Sequence, residues 1–216
     1  MITDFIGNTP LIKLNYFSEI SGCNIYGKAE FMNPGGSIKD RAAKYIIEHA
    51  IENNLLRSGG TIVEGTAGNT GIGLALVGNA YNLNTIIVIP DTQAEEKKFT
   101  LRACGAELIE VPAVPYKDKN NYVKYSKKIA ENQKNENGVL WANQFDNEVN
   151  FIGHQNDTGP EILRQLNNKI DGFVCSCGTG GTLTGVSISL RNKNPDVKIA
   201  LADPMGAALY NFYKKI

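Results

Sequence analysis

Residues 61–80 read "TIVEGTAGNTGIGLALVGNA", and this stretch decides the fold class. It begins as a predicted strand at residues 61–65, continues through a glycine-rich loop and ends in the helical pattern of residues 72–80. The next apolar run is "TIIVIP" at residues 85–90, and a continuous run of this kind is typical of a strand buried on both faces. Strand, loop, helix and strand in this order predict an α/β chain with a parallel sheet that helices cover.

The same alternation continues on both sides of this stretch. A helical pattern precedes it at residues 38–51. Residues 143–158 have little periodicity, so we expect the chain to cross between domains there. The other predicted elements are helices near 93–104, 122–135, 159–166 and 182–191, and strands near 106–112, 138–143, 172–178 and 197–204.

Composition excludes several classes of protein. The chain has 216 residues, 42% of them apolar, with 22 basic and 22 acidic side chains, which is ordinary for a globular protein and does not suggest nucleic-acid binding. The N-terminal residues contain Asp4 and no long apolar run, so we expect neither a signal peptide nor a membrane span, and a cytoplasmic location. Four cysteines and two histidines predict neither a disulfide framework nor a metal site.

Two glycine-rich loops, "GTAGNTG" at residues 65–71 and "GTGGT" at residues 178–182, each follow a predicted strand and open a predicted helix. A loop in this position offers backbone N–H groups and the positive end of a helix to an anion. Neither loop fits the P-loop or the dinucleotide-binding pattern. Each is either a cradle for a phosphate or carboxylate, or a tight turn of the kind that α/β folds require.

Lys39 lies in "NPGGSIKDR", residues 33–41, where Ser37 is the expected N-cap and Asp40 follows three residues later. The positive end of a helix disfavours a cation in the first turn by about 0.3 to 1 kcal/mol, which would help this amine to form an imine. A lysine in this position and two possible phosphate loops in the same chain together indicate pyridoxal 5′-phosphate as cofactor. Taken alone, the segment would fit a solvated lysine beside Asp40 better than a cofactor-binding lysine.

Seven motifs together resemble the cysteine synthases (O-acetylserine sulfhydrylases) and their cystathionine β-synthase relatives, which are pyridoxal-phosphate enzymes of fold type II. The motifs occur in the family's order and spacing along the whole chain: "IGNTPLIKL", "NPGGSIKDR", "GTAGNTGIGLAL", "GAELIEVP", "QFDN", "TGPEI" and "GTGGTLTGV". The resemblance implies two domains with parallel sheets flanked by helices. Residues 1–36 would begin a large domain, residues 37–147 would form a small α/β domain, and residues 148–216 would return to an incomplete large domain.

The resemblance also implies a role for each site residue. Lys39 would carry the cofactor as a Schiff base, and Asn69 would hydrogen-bond the ring oxygen of the cofactor. The cofactor's 5′-phosphate would be bound by Gly178, Thr179, Gly180, Gly181 and Thr182. The substrate carboxylate would be bound by Thr66, Gly68, Asn69 and Thr70, on a loop that closes over the substrate, together with Gln144.

The implied reaction is a β-replacement. O-acetyl-L-serine and sulfide would give L-cysteine and acetate through an aminoacrylate, with Lys39 removing the Cα proton. Two other enzyme classes remain open, a cystathionine β-synthase-like and a serine or threonine dehydratase-like activity. A noncatalytic fragment that binds the C-terminal tail of serine acetyltransferase is a further alternative. Because family members are usually homodimers, the resemblance also implies a homodimer.

Three departures from the family pattern stand out. Gly65 and Ala67 occupy positions where the family commonly has Pro and Ser, although one branch of cysteine synthases also carries Ala. Asp157 stands where the family often has the first threonine of "TTGPE". The family also continues beyond residue 216 and supplies there the partner of the pyridine nitrogen, so we expect the chain as given to be inactive or weakly active.

Overall fold

The computed structural model describes residues 1–214, which divide into two compact units, one of residues 1–149 and a second that begins at Asn150. The first unit is built on a sheet of four parallel strands, which are β3 (Thr61–Gly65), β4 (Asn84–Pro90), β5 (Glu107–Val111) and β6 (Val139–Trp141). Their order in the sheet is β5-β4-β3-β6. Every residue of β3 is buried, as expected of a central strand covered on both faces.

Helices cover this sheet and close its core. They are α2 (Lys39–Glu52), α3 (Asn69–Ala80), α4 (Glu95–Ala103) and α5 (Tyr122–Asn132). A Cβ added at Gly73 of α3 would lie 2.9 Å from the carbonyl oxygen of Lys39 and 3.1 Å from Cβ of Ala43. A larger residue at position 73 would therefore push α2 and α3 apart.

The N-terminal part of the first unit contains elements that the sequence patterns did not predict. Strands β1 (Leu11–Lys13) and β2 (Tyr26–Lys28) pair antiparallel, and α1 (Asn15–Ser21) connects them. Single 3₁₀ turns lie at Ile2–Phe5 and Glu30–Met32. Elements this short give little periodicity in a sequence.

The second unit has a parallel pair of strands, β7 (Gly172–Cys175) and β8 (Lys198–Leu201). Its helices are α6 (Val149–Gly153), which begins at the boundary, α7 (Gly159–Gln165), α8 (Gly181–Lys193) and α9 (Ala208–Lys214). Among residues 1–214, no helix is both long and apolar enough to cross a membrane.

One prediction about this region is wrong. The sequence predicts an irregular segment over residues 143–158, but from residue 149 onward α6 continues through a π-helical turn at His154–Thr158 directly into α7. Packing against α8 supports this turn, because a Cβ at Gly185 would lie only 2.2 Å from the carbonyl oxygen of Phe151. Tertiary contact thus makes helical a segment whose own apolar periodicity is weak.

The predicted α/β class with parallel sheets is confirmed, and each predicted strand from residue 61 onward forms in its expected place. The assignment of residues 1–36 and 148–216 to one large domain, and of residues 37–147 to a small one, stays a prediction. By their own contacts, residues 1–36 belong to the first unit.

Candidate active site

Lys39 is the first residue of α2 and is half-buried. The helix assignment places the N-cap at Ile38, one position after the predicted Ser37. Ser37 nevertheless makes the contact expected of an N-cap side chain, because its hydroxyl accepts a hydrogen bond from the backbone N–H of Lys39 at 3.1 Å. Lys39 therefore lies in the first turn, where the helix dipole disfavours its ammonium form.

Asp40 holds the glycine turn in front of this helix. Its side chain is fully buried, and its Oδ2 accepts a hydrogen bond from the N–H of Gly35 at 2.5 Å. A Cβ at Gly35 would lie 2.4 Å from Oδ1 of Asp40, so the turn requires glycine there. Burial raises the pKa of Asp40 to about 6; the Gly35 N–H opposes this rise, and the charge of Glu30 adds to it.

Arg41 fixes the backbone that follows Lys39. Its buried guanidinium donates to both oxygens of Glu30, at 2.9 and 3.0 Å. Glu30 also accepts from the Thr9 hydroxyl at 2.6 Å and from Nδ2 of Asn33 at 2.7 Å. Burial alone would raise the pKa of Glu30, but the hydrogen bond and charge of Arg41, together with the hydrogen bonds from Thr9 and Asn33, lower it overall. Lys39 thus sits on a backbone segment fixed on both sides.

The glycine-rich loop after β3 positions Asn69, which is exposed at the first residue of α3. Thr66 is buried, and its hydroxyl accepts from the N–H of Gly68 at 3.3 Å. Gly65 is one of the departures from the family pattern, and a Cβ there would lie 2.6 Å from the carbonyl oxygen of Tyr122. The close approach of α5 therefore explains why this chain has glycine at position 65.

Thr70 and Gln144, which the sequence predicts to bind one carboxylate, are in direct contact. The Thr70 hydroxyl donates to Oε1 of Gln144 at 2.6 Å, and both side chains are buried. Nε2 of Gln144 donates in turn to Oε1 of Glu64 at 3.0 Å. The result is a chain of hydrogen bonds between three residues of the first unit.

In the second unit, residues 178–182 join β7 to the N-terminus of α8. Gly180 has φ +88°, a left-handed conformation that favours glycine. A Cβ at Gly181 would lie 2.3 Å from Oδ1 of Asn150, and Nδ2 of Asn150 donates to the Thr179 hydroxyl at 3.0 Å. The Thr182 hydroxyl is 3.2 Å from Nε2 of the buried His154.

This loop fits a phosphate group. The first backbone N–H groups of an α-helix have no partner within the helix, and α8 is thirteen residues long. A Cβ built at Gly178 would have no described atom within 4 Å, so the loop has open space beside it. No cluster of three or more metal-binding side chains occurs among the described residues.

Comparison with known proteins identifies the family. Residues 2–215 match the family model for "Pyridoxal-phosphate dependent enzyme". This chain belongs to that family. It is 50% identical over 213 residues to cysteine synthase 1 of Neurospora crassa, covering 98% of this chain and 56% of the relative. It is 49% identical over 212 residues to cysteine synthase 1 of Emericella nidulans, again covering 98% of this chain and 56% of the relative.

Solved structures agree with the sequence comparison. The crystal structure of O-ureido-L-serine synthase matches 97% of this chain and 65% of its own length, at a TM-score of 0.87 and 37% identity. The resemblance to cysteine synthases and the fold-type-II class are thereby confirmed, and pyridoxal phosphate is the cofactor of the family. The chain spans a little over half the length of these two curated relatives.

The structure distributes the predicted site residues between the two units. Thr70 contacts Gln144, and Thr66 contacts Gly68, whereas the roles assigned to these residues, to Lys39 and to Asn69 stay predictions. The sequence reasoning missed Glu64, Asn150 and His154. Glu64 had a signal, because it is the one charged residue in the strand "TIVEG".

Proposed function

We propose that the protein makes L-cysteine and acetate from O-acetyl-L-serine and sulfide. The observation that carries this proposal is Lys39, which lies in the first turn of α2 on a segment fixed by buried Asp40 and Arg41. The motif around Lys39 resembles that of the cysteine synthases, and the chain is 50% identical to cysteine synthase 1 of Neurospora crassa over 213 residues. The chain is also 41% identical over 207 residues to a cystathionine β-synthase of Apis mellifera. This similarity supports a β-replacement as the class of reaction.

Lys39 would bind the cofactor and act as the base. Bound pyridoxal phosphate would supply an electron sink for the negative charge that develops at the substrate Cα. Nζ of Lys39 would take the Cα proton, and its position at the helix N-terminus favours the neutral amine that this step needs. The ordered segment around Lys39 limits the positions that the amine can reach.

The remaining site residues would bind and orient. Residues 178–182 would hold the cofactor phosphate through the N-terminus of α8, and Asn69 would donate to the ring oxygen. The substrate carboxylate would be bound by the loop after β3 and by Gln144. This set consists of Thr66, Gly68, Asn69, Thr70 and Gln144.

The test of this function begins with Lys39. Borohydride reduction of the cofactor-loaded protein should leave a pyridoxyl group on Lys39, detected by peptide mass spectrometry, and Lys39→Ala should abolish it. Whatever rate of cysteine formation the wild-type chain shows should fall by about 10³-fold, or below detection, in Lys39→Ala, because both the cofactor link and the base are lost. Lys97→Ala, which removes an exposed lysine near the N-terminus of α4, is the matched control.

The acceptor is tested separately. O-acetyl-L-serine is supplied with sulfide, with homocysteine or with no nucleophile, and the products are identified. Sulfide should give cysteine at the highest rate. A higher rate with homocysteine would favour cystathionine β-synthase chemistry, and release of a keto acid without a nucleophile would favour a dehydratase.

We also propose, from the resemblance, a cytoplasmic homodimer that can bind the C-terminal tail of serine acetyltransferase. A carboxylate site of the kind expected at Gln144 would accept the terminal carboxylate of such a tail. Sedimentation measures the oligomeric state, and titration with a peptide ending in isoleucine measures tail binding. Loss of binding on amidation of the peptide terminus is the expected result.

A further inference from the structure

Two polar side chains of the second unit, Asn150 and His154, are buried next to the loop of residues 178–182. They are 3% and 1% exposed, and because they are four residues apart they lie on one face of the helix formed by α6 and the π-helical turn. That face packs against α8, where Gly181 and Gly185 are also four residues apart and allow a close approach. A buried amide and a buried imidazole each need hydrogen-bond partners.

The two threonine hydroxyls of the loop are among these partners. Nδ2 of Asn150 donates to Oγ1 of Thr179 at 3.0 Å, and Nε2 of His154 is 3.2 Å from Oγ1 of Thr182. A threonine hydroxyl has one hydrogen to donate and can also accept. Thr179 accepts from Asn150, and in the described part of the chain its own hydrogen is donated to no other group. That hydrogen can therefore be donated to a ligand of the loop.

The direction of the hydrogen bond at Thr182 depends on which ring nitrogen of His154 carries a hydrogen. Nδ1 of His154 is 2.8 Å from the Thr158 hydroxyl, and Nε2 faces Thr182. With a hydrogen on Nε2, the ring donates to Thr182, and the Thr182 hydrogen is left for a ligand. With Nε2 bare, Thr182 would donate to the ring instead. An ionised phosphate only accepts hydrogen bonds, so it requires the first arrangement.

We propose that Asn150 and His154 are positioning residues of the phosphate loop, which donate to Thr179 and Thr182 so that both threonine hydroxyls donate to the cofactor phosphate. The inference rests on the proposed function, which places pyridoxal phosphate at residues 178–182. It adds two side-chain donors to the backbone N–H groups at the N-terminus of α8. Asn150 and His154 would strengthen phosphate binding without touching the phosphate.

The first experiment compares two probes, pyridoxal 5′-phosphate and pyridoxal, which lacks the phosphate but still has the aldehyde that reacts with Lys39. Their dissociation constants are measured by titration of the full chain freed of cofactor. The wild type should bind pyridoxal phosphate more tightly than pyridoxal. Asn150→Ala and His154→Leu should each reduce this preference about tenfold, the effect of one hydrogen bond to a charged group, and leave the affinity for pyridoxal unchanged.

Two matched controls should keep the wild-type preference. Asn194→Ala removes an asparagine hydrogen bond, to the carbonyl oxygen of Ile170, at the other end of α8. His49→Leu replaces the exposed histidine of α2. Should Asn150→Ala not fold, Asn150→Ser, whose side chain is too short to reach Thr179, carries the same comparison.

A double-mutant cycle separates positioning from general damage to the loop. Thr179→Val keeps the shape of the side chain and removes the hydroxyl. In this background Asn150→Ala should change the preference less than about twofold, because the group through which Asn150 acts is gone. His154→Leu should behave in the same way in a Thr182→Val background. Equal losses with and without the threonine hydroxyl would overturn the proposal.

The position of the hydrogen on His154 is measured directly in the wild type, which needs no variant in the loop. The chain has two histidines, so ¹⁵N-labelled histidine gives two sets of ring signals in the cofactor-loaded chain, and His49→Leu assigns them. Nε2 of His154 should carry a hydrogen. A bare Nε2 would overturn the role of His154, because Thr182 would then donate to the ring.

The outcome also distinguishes this inference from the proposed function. A wild-type chain that binds both probes equally would overturn the phosphate loop itself, and with it the cofactor site on which the proposed function depends. A wild-type preference that survives unchanged in Asn150→Ala and His154→Leu would overturn only the roles of these two residues.

Discussion

At the scale of single residues, Asp40 gives a pH dependence of stability. Burial raises its pKa from 3.8 to about 6 in the folded chain. A raised pKa means that the folded state binds the proton more tightly than the unfolded state. The stabilisation is therefore fully present below pH 3.8 and is lost as the pH rises through about 6. Its full size is about 3 kcal/mol, from 1.36 kcal/mol per pKa unit.

Asp40→Asn tests this expectation, because the amide oxygen can still accept from the N–H of Gly35 but the side chain no longer titrates. The free energy of unfolding is measured by chemical denaturation between pH 4 and pH 8. The difference, wild type minus variant, should fall between about pH 4 and pH 6 and stay constant above about pH 7. A constant difference over the whole range would show that Asp40 is ionised in the folded chain as readily as in the unfolded chain.

At the scale of elements, the contact between α8 and the π-helical turn supports the phosphate loop. A Cβ at Gly185 would meet the carbonyl oxygen of Phe151 at 2.2 Å and the backbone nitrogen of Gln155 at 2.7 Å. Backbone atoms cannot move aside as the end of a flexible side chain can, so Gly185→Ala should destabilise the chain by about 1–3 kcal/mol. Thermal unfolding measures the loss, and Thr184→Ala, at an exposed position of the same helix, should have little effect.

The elements also show what a sequence can and cannot predict. Strand β3 was predicted because its apolar run and the following glycines are local signals, and α2 because its apolar residues recur at helical spacing. The contact of Glu64 with Gln144 joins residues 80 positions apart, and no local pattern encodes such a pairing. The helical backbone of residues 149–158 was missed for the same reason, since its support comes from α8.

At the scale of the whole molecule, ligand binding should be visible as stabilisation. A ligand that binds only the folded chain stabilises it by about 2.7 kcal/mol at a concentration one hundred times its dissociation constant. The N-terminus of α8 offers a site for phosphate, whereas the amine of Lys39 can react only with a ligand that carries an aldehyde. Inorganic phosphate and pyridoxal phosphate therefore probe different parts of the chain.

We expect Lys39→Ala to keep the stabilisation by inorganic phosphate and to lose most of the additional stabilisation by pyridoxal phosphate. Thermal unfolding of the wild type and the variant with each ligand measures both effects, and Lys97→Ala should behave as the wild type with both ligands. Equal stabilisation of wild type and Lys39→Ala by pyridoxal phosphate would show that Lys39 does not bind the cofactor. No stabilisation of either chain by phosphate would argue against residues 178–182 as the phosphate loop, because the anion would then gain nothing from the helix N-terminus that this loop presents.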